Sequence, residues 1–93
     1  MKQLKNVKFF GSKATAEELE SYEMFPESII EDFRIEFCHE SFSHESFIRL
    51  YTINGRAVYG STLRYLNELG FRVIGVIMDS AKALYILIER ETK

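Results

Sequence analysis

Two segments of this chain can each fold back on themselves so that charges and apolar residues match across the fold. In the first, a turn at residues 42 and 43 aligns residues 33–38 antiparallel with residues 47–52, which sets Glu36 opposite Arg49. Cross-strand neighbours of opposite charge stabilise an antiparallel pair, and a shared apolar face fixes its register. The sequence therefore predicts a β-hairpin whose apolar pairs are Ile35 with Leu50 and Phe37 with Ile48.

A second hairpin is predicted further along the chain by the same criterion. A turn centred on Ser80 and Ala81 sets Arg72 opposite Glu89. In this register the apolar side is formed by Val73, Gly75 and Ile77, which face Ile88, Ile86 and Leu84. Two hairpins make a β-sheet the main element of the predicted fold.

The composition is that of one folded domain spanning residues 1–93. Hydrophobic residues make up 46% and aromatic residues 14% of the sequence, enough for one core without a metal or disulfide. The single cysteine, Cys38, cannot form an internal disulfide, so we expect a reducing compartment and a cytoplasmic location. No apolar run reaches the roughly 18 residues of a membrane span, and no hydrophobic segment of a secretion signal follows the first basic residues. We therefore expect no membrane partner.

Local signals place the remaining elements around the hairpins. Alternating residues predict a first strand over Lys5–Phe10, and the pattern Thr15-Ala16-Glu17-Glu18 is a capping box that predicts a helix from Ala16. Pro26 disfavours helix at the residue before it, so this helix should end near Met24, and the conformation of residues 24–32 is left open. A second helix should carry one apolar stripe and end at the cap residue Gly70, the stripe being Tyr59, Leu63, Leu66 and Leu69.

The order of these elements predicts an α+β fold of ferredoxin-like type. It is βαββαβ with a fifth strand at the end, and two helices cover one face of an antiparallel sheet of order 2-3-1-4-5. The other face of the sheet is then free of helices, so its side chains decide what the molecule meets.

On the second hairpin, the predicted register puts mostly large apolar residues on the helix-free side. Contiguous apolar patches of this kind are uncommon on soluble monomers, and two-fold dimers are the commonest oligomers. We therefore expect a homodimer through this surface, with the folding of residues 24–32 over it and a foreign partner as the alternatives. The predicted interface residues are Ile74, Val76, Met78, Ala83, Tyr85 and Leu87.

A ligand or anion site is predicted at the start of the second helix, where backbone amides lie close to Arg56. The segment Gly55–Thr62 resembles the glycine spacing of a phosphate-binding P-loop, but Ser61 stands where that loop has its lysine. The strand–turn–helix beginning at Thr52 also resembles ACT-type regulatory domains, which implies a small ligand beside a subunit boundary. The predicted site residues are Asn54, Gly55, Arg56 and Ser61.

The histidines of the first hairpin do not predict catalysis or a metal centre. Neighbouring strand residues point to opposite faces, so Cys38 and His39 diverge, and His44 would have to join them from the other arm of the turn. Without a nucleophile–base pair or four converging ligands, we expect no enzyme activity, no metal and no cofactor.

Two other partner classes are kept as alternatives. The same strand order occurs in RNA-binding modules, whose open face stacks bases, although the net charge of −2 disfavours nucleic acid. An acidic segment over residues 17–32, with no basic residue, instead suggests an inhibitor-type protein that docks on a basic partner. The favoured interpretation is a small non-enzymatic binding or regulatory protein acting as a homodimer; the nucleic-acid alternative uses Phe10, Phe47, Tyr51, Arg34 and Arg49.

Overall fold

The fold is taken from a computed structural model, which describes residues 3–40, 45–53, 60–79 and 82–91, without the side chains of 79 and 82–84. Within these ranges the chain forms five strands and three helices. Their bounds are β1 Val7–Lys8, α1 Ala16–Met24, α2 Glu27–Asp32, β2 Phe33–Glu40, β3 Glu45–Thr52, α3 Gly60–Leu69, β4 Phe71–Asp79 and β5 Lys82–Arg90.

The five strands form one mixed sheet in the order β1-β2-β3-β5-β4. The α+β class is therefore confirmed, but the ferredoxin-like order is not. Strand β1 runs parallel to β2 at one edge of the sheet, and β3 pairs with β5 where the ferredoxin-like order has the first strand. The sheet is thus not wholly antiparallel.

The first strand is shorter than predicted because one residue bends the chain just before it. Asn6 has a positive φ of 54°, and its side-chain amide donates to the carbonyl of Ile30 at 2.8 Å. Its own carbonyl accepts from the backbone N–H of Ile35 at 2.7 Å. These bonds fix the chain beside β2, where Val7 and Lys8 pair with it.

Helix α1 begins and ends where the sequence predicts. The Thr15 hydroxyl accepts from the Glu18 backbone N–H at 3.1 Å, and the Glu18 carboxylate accepts from the Thr15 N–H at 2.8 Å, completing the capping box. The segment whose conformation was left open forms α2, and its residues Ile29 and Ile30 are buried in the core. It therefore does not fold over the helix-free side of the sheet.

All three described helices pack on the same face of the sheet, where their buried residues share one core with those of the strands. Phe25, which caps α1, stacks on Phe71 of β4 with ring centroids 4.5 Å apart. Helix α3 ends at Gly70, whose φ of 106° confirms the left-handed cap. The buried core consists of Tyr22, Phe25, Ile29, Ile30, Phe33, Ile35, Phe37, Ile48, Leu50, Leu66, Phe71, Ile86 and Ile88.

The first hairpin has the predicted register along its whole length. Ile35 pairs with Leu50, and Glu36 pairs with Arg49. The turn itself, at residues 42 and 43, lies outside the described residues. The opposite charges and the apolar pairs favour the same alignment, so this register is more stable than any other for these two strands.

The second hairpin keeps the predicted register at its ends and departs from it in the middle. Arg72 pairs with Glu89 as expected, but the register shifts by one residue between Val73 and Gly75 and shifts back between Ile77 and Met78. Between the shifts Val76 pairs with Ile86, and Ile77 pairs with Tyr85. The predicted pairs Gly75–Ile86 and Ile77–Leu84 are therefore wrong.

No helix in the described part of the chain has both the length and the apolar character needed to cross a membrane.

Candidate interaction surface

The side of the sheet away from the helices is one continuous surface, which we call the helix-free face. Along β2, β3 and β5 its residues alternate with buried core residues, as successive side chains of a strand point to opposite sides. Most of its side chains are half-buried, so they contact one another and also reach solvent. The central residues of the face are Arg34, Glu36, Cys38, Phe47, Arg49, Tyr51, Tyr85 and Leu87, and Glu40 and Glu45 lie at one end of it.

Arg49 lies at the centre of the helix-free face. Its Nη1 donates to the Tyr51 hydroxyl at 2.9 Å and lies 3.5 Å from Oε1 of Glu36. Its guanidinium carbon lies 5.3 Å from the ring centre of Tyr85 and 5.8 Å from that of Phe47. The hydrogen bond with Tyr51 raises the pKa of Arg49, so its charge is held firmly.

Arg34 extends this arrangement along the same face. Its guanidinium carbon lies 4.7 Å from the ring centre of Tyr51, and the Tyr51 and Tyr85 rings are 5.0 Å apart. Arginines stacked on aromatic rings are fixed by cation–π attraction, worth about 0.5–1 kcal/mol at exposed sites. Arginine and tyrosine are also the residues most enriched among strong contacts of protein interfaces.

Strand β4 carries the most exposed apolar residues next to this face. Eight large hydrophobic residues are exposed in the described part of the chain, and half of them are on β4. Ile74 and Met78 have 44% and 58% of their surface exposed, which is high for residues within a strand. The four on β4 are Ile74, Val76, Ile77 and Met78.

The register shift redistributes these residues between the two sides of the sheet. Cross-strand partners point to the same side, so Ile77 joins Tyr85 on the helix-free face. Val76 instead lies on the side of Ile86, which is buried beneath the helices, yet Val76 itself stays 36% exposed. The helix layer therefore does not fully cover β4, and apolar surface is exposed on both of its sides.

The predicted interface residues thus lie on adjacent strands, but not all on one side of the sheet. Tyr85 and Leu87 lie side by side on β5, and Ala83 pairs with Met78 in the backbone register. Val76 leaves the helix-free side, and Ile77, which the sequence analysis placed on the core side, takes its place. The signal that the sequence offered was Gly75, because a glycine within a strand often marks a bulge.

The predicted ligand site lies mostly outside the described residues, which lack Asn54, Gly55 and Arg56. Ser61 lies in the first turn of α3 and is exposed.

Cys38 and His39 point to different surroundings, as expected for neighbours in a strand. The Cys38 thiol lies 3.7 Å from Oε1 of Glu36, and burial raises its pKa. The His39 ring lies 3.2 Å from the Ser46 hydroxyl, measured from its Nδ1. His44 is outside the described residues, and no three His, Cys, Asp or Glu side chains within them are grouped to hold a metal ion.

Charge is divided between the two sides of the molecule. Helices α1 and α2 contain seven acidic residues and no basic residue. Several are engaged within the chain: Glu20 pairs with Arg90 at 3.2 Å, and Glu27 pairs with Lys5 at 2.7 Å. On the opposite side, Lys8 pairs in register with Glu36, beside Arg34 and Arg49, and Glu40 pairs with Glu45 further along the same face. The helix side is therefore acidic, whereas the β1–β3 part of the helix-free face has basic and acidic residues in equal number.

Comparisons with known proteins found no matching family model, no matching curated protein and no matching solved structure. The case for a function therefore depends on the geometry of this surface.

Proposed function

We propose that the protein is a non-enzymatic binding protein that acts as a homodimer through its C-terminal hairpin, β4–β5. The observation that carries this proposal is the concentration of exposed apolar side chains on β4, beside Tyr85 and Leu87 of β5. A regulatory role and a cytoplasmic location are part of the proposal, and the single unpaired cysteine supports the location.

The energetics favour covering this surface. Burial of a large apolar side chain gains about 1.5–3 kcal/mol, and a two-fold interface buries each such residue twice. The arginine–tyrosine cluster next to it supplies polar contacts of the kind that surround the apolar centre of protein interfaces.

The test is a charge substitution in the patch with a matched control. Ile74→Lys places a charge at the proposed interface, and Ile53→Lys makes the same change at an isoleucine of similar exposure, 51% against 44%, outside the hairpin. If the substitution removes about 3 kcal/mol of association free energy, summed over both copies, the Kd of the dimer rises by more than 100-fold.

We expect light scattering on a size-exclusion column to give the mass of a dimer for the wild type and for Ile53→Lys, and that of a monomer for Ile74→Lys. A wild type that stays monomeric at several hundred micromolar would refute the homodimer. Circular dichroism of each variant checks that it remains folded.

Single-stranded nucleic acid is the second candidate, favoured by the arginines that stack on aromatic rings of the helix-free face. The overall charge of −2 disfavours it, but the acidic residues of α1 and α2 lie on the helix side, whereas Lys8, Arg34 and Arg49 share a face with Tyr51 and Tyr85. Bases stack on aromatic rings or guanidinium planes, and cations attract phosphates. Phe10 is exposed, but it contacts the ring of His39, which points away from the helix-free face, so it does not extend this surface.

Fluorescence anisotropy with a labelled 12-nucleotide RNA tests this candidate. We expect binding at low salt that weakens as salt rises and is lost in Arg34→Glu, with Lys13→Glu as the control of equal charge. Equal binding by both variants would show that the face is not involved. The acidic inhibitor-type role is a weaker alternative, because most of the acidic residues of α1 and α2, among them Glu18, Glu20, Glu27 and Glu31, already have partners within the chain.

A further inference from the structure

We propose that two copies join edge to edge, their β4 strands pairing antiparallel across a two-fold axis to make one continuous sheet. This inference rests on the proposed homodimer and specifies its geometry. It replaces a face-to-face contact, the arrangement that the helix-free face alone would suggest.

The first argument is the position of β4 in the sheet. Among the described strands, β4 pairs with β5 on one side and with none on the other. A strand at the edge of a sheet has a row of backbone N–H and C=O groups that point outwards and can pair with another strand. At nine residues, β4 is long for an edge strand, since natural edge strands are commonly kept short.

The second argument is that the exposed apolar residues lie on both sides of this strand. Ile77 is on the helix-free side, whereas Val76 is on the side of the helices. A partner stacked on the helix-free face would cover Ile77 and leave Val76 in solvent. A strand added in the plane of the sheet has side chains on both sides and therefore covers both residues at once.

The third argument identifies the partner strand as a second β4. All positions from Val73 to Met78 are apolar apart from Gly75. If the two-fold axis passes near the middle of this segment, the β4 of a second copy places apolar side chains next to those of the first on both sides of the sheet. The sequence of β4 also has a basic residue, Arg72, at its start and an acidic residue, Asp79, at its end. Antiparallel pairing brings the basic end of one copy next to the acidic end of the other, whereas parallel pairing would bring like charges together.

Cysteine cross-linking distinguishes the edge from the face. In a Cys38→Ser background, which removes the natural cysteine, single cysteines are placed at Ile74, Gly75, Val76 and Ile77, and separately at Leu87. A disulfide requires Cα atoms within about 7 Å. In the edge-to-edge dimer a β4 residue at the two-fold axis is about 5 Å from its own copy, whereas the two Leu87 residues are three strand spacings apart, or about 14 Å.

We expect at least one of the four β4 cysteines to form a disulfide dimer on non-reducing gels about tenfold faster than Leu87→Cys. The substitution at Gly75 is tolerated by the structure, because an added Cβ would lie 3.5 Å from the nearest atom of Leu87, an ordinary contact. Cross-linking of Leu87→Cys at an equal or faster rate would overturn the edge geometry.

Hydrogen exchange on the unmodified protein gives an independent readout. Edge pairing protects outward-pointing β4 amides as the protein concentration rises from 1 to 200 μM, while face-to-face packing leaves these groups unpaired. Concentration-dependent protection confined to β5 would therefore overturn the inference and leave the homodimer standing. A wild type that is monomeric by light scattering would overturn both.

Discussion

Helix α3 is attached to the sheet mainly through one side chain, and truncating that side chain should cost far more than truncating its neighbour. Leu66 is the buried residue of α3, with no exposed surface, whereas Leu63, one turn earlier, is half-buried against the same core. The variants Leu66→Ala and Leu63→Ala remove the same atoms from the same helix.

The expected magnitudes follow from this difference in burial. A fully buried leucine replaced by alanine costs about 2.7–5 kcal/mol, because apolar contact is lost and a cavity remains. Half-burial at Leu63 should about halve the cost, to roughly 1.5–2 kcal/mol. The helical preference of alanine over leucine is small and equal in both variants, so it cancels in the comparison. The difference between the two variants should therefore exceed about 1 kcal/mol.

Urea unfolding followed by circular dichroism measures both free energies of unfolding. The protein concentration must be low and identical throughout, because association stabilises the folded state. The total free energy of unfolding of a domain of this size is only about 5–15 kcal/mol, so the loss in Leu66→Ala will be easy to measure. Equal losses in the two variants would refute the proposed anchoring of α3.

Three further predictions concern single residues. Gly70→Ala should lower the free energy of unfolding in urea by about 2 kcal/mol or more, because φ is 106° and an added Cβ would lie 2.9 Å from Cε of Met24. The control Gly60→Ala, whose added Cβ has nothing within 4 Å, should be neutral or stabilising. A larger loss for Gly60→Ala than for Gly70→Ala would contradict the left-handed cap. Thr15→Ala should cost about 1 kcal/mol and Thr15→Ser much less, and equal losses would show that the hydroxyl does not cap α1. Burial raises the pKa of the Cys38 thiol, so a smaller fraction of it is thiolate at any given pH. Cys38 should therefore react with a thiol reagent at pH 8 more slowly in the folded protein than in the urea-unfolded chain. Equal rates would contradict its burial.

The sequence was sufficient where several local signals agreed. The strand register of the first hairpin is predictable because the Glu36–Arg49 pair and the apolar alternation favour the same alignment. The bounds of α1 followed from a capping box at Thr15 and from Pro26, both of which act over a few residues. Structural features that depend on a few neighbouring residues can be predicted from the sequence alone.

The middle of the second hairpin has no local sequence signal that fixes its register. Strand β4 is apolar at almost every position, so a shift of one residue leaves the pattern of apolar pairs nearly unchanged. The charge pair Arg72–Glu89 fixed one end of the ladder, but nothing comparable fixed its middle. This is why Val76 and Ile77 were assigned to the wrong sides of the sheet.

The strand order was not predictable because it depends on contacts between distant segments. Strand β1 lies beside β2 because Asn6 bonds to Ile30 and Ile35, more than twenty residues away. The order of elements along the chain is compatible with several arrangements of the same strands, of which the ferredoxin-like order is one. The edge position of β4, on which the proposed pairing of two copies depends, follows from the observed order.

The acidic helices lie on one side of the sheet, whereas basic and acidic residues are equal in number on the β1–β3 part of the other side, so the negative charge of the molecule is unevenly placed. Two copies that approach with their helix sides facing each other should repel, and an approach through the β4 edge avoids this repulsion. Physiological salt limits such fields to about 8 Å, so the repulsion should reach further in dilute buffer. We therefore expect ionic strength to change how two copies approach each other more than it changes apolar contacts at β4.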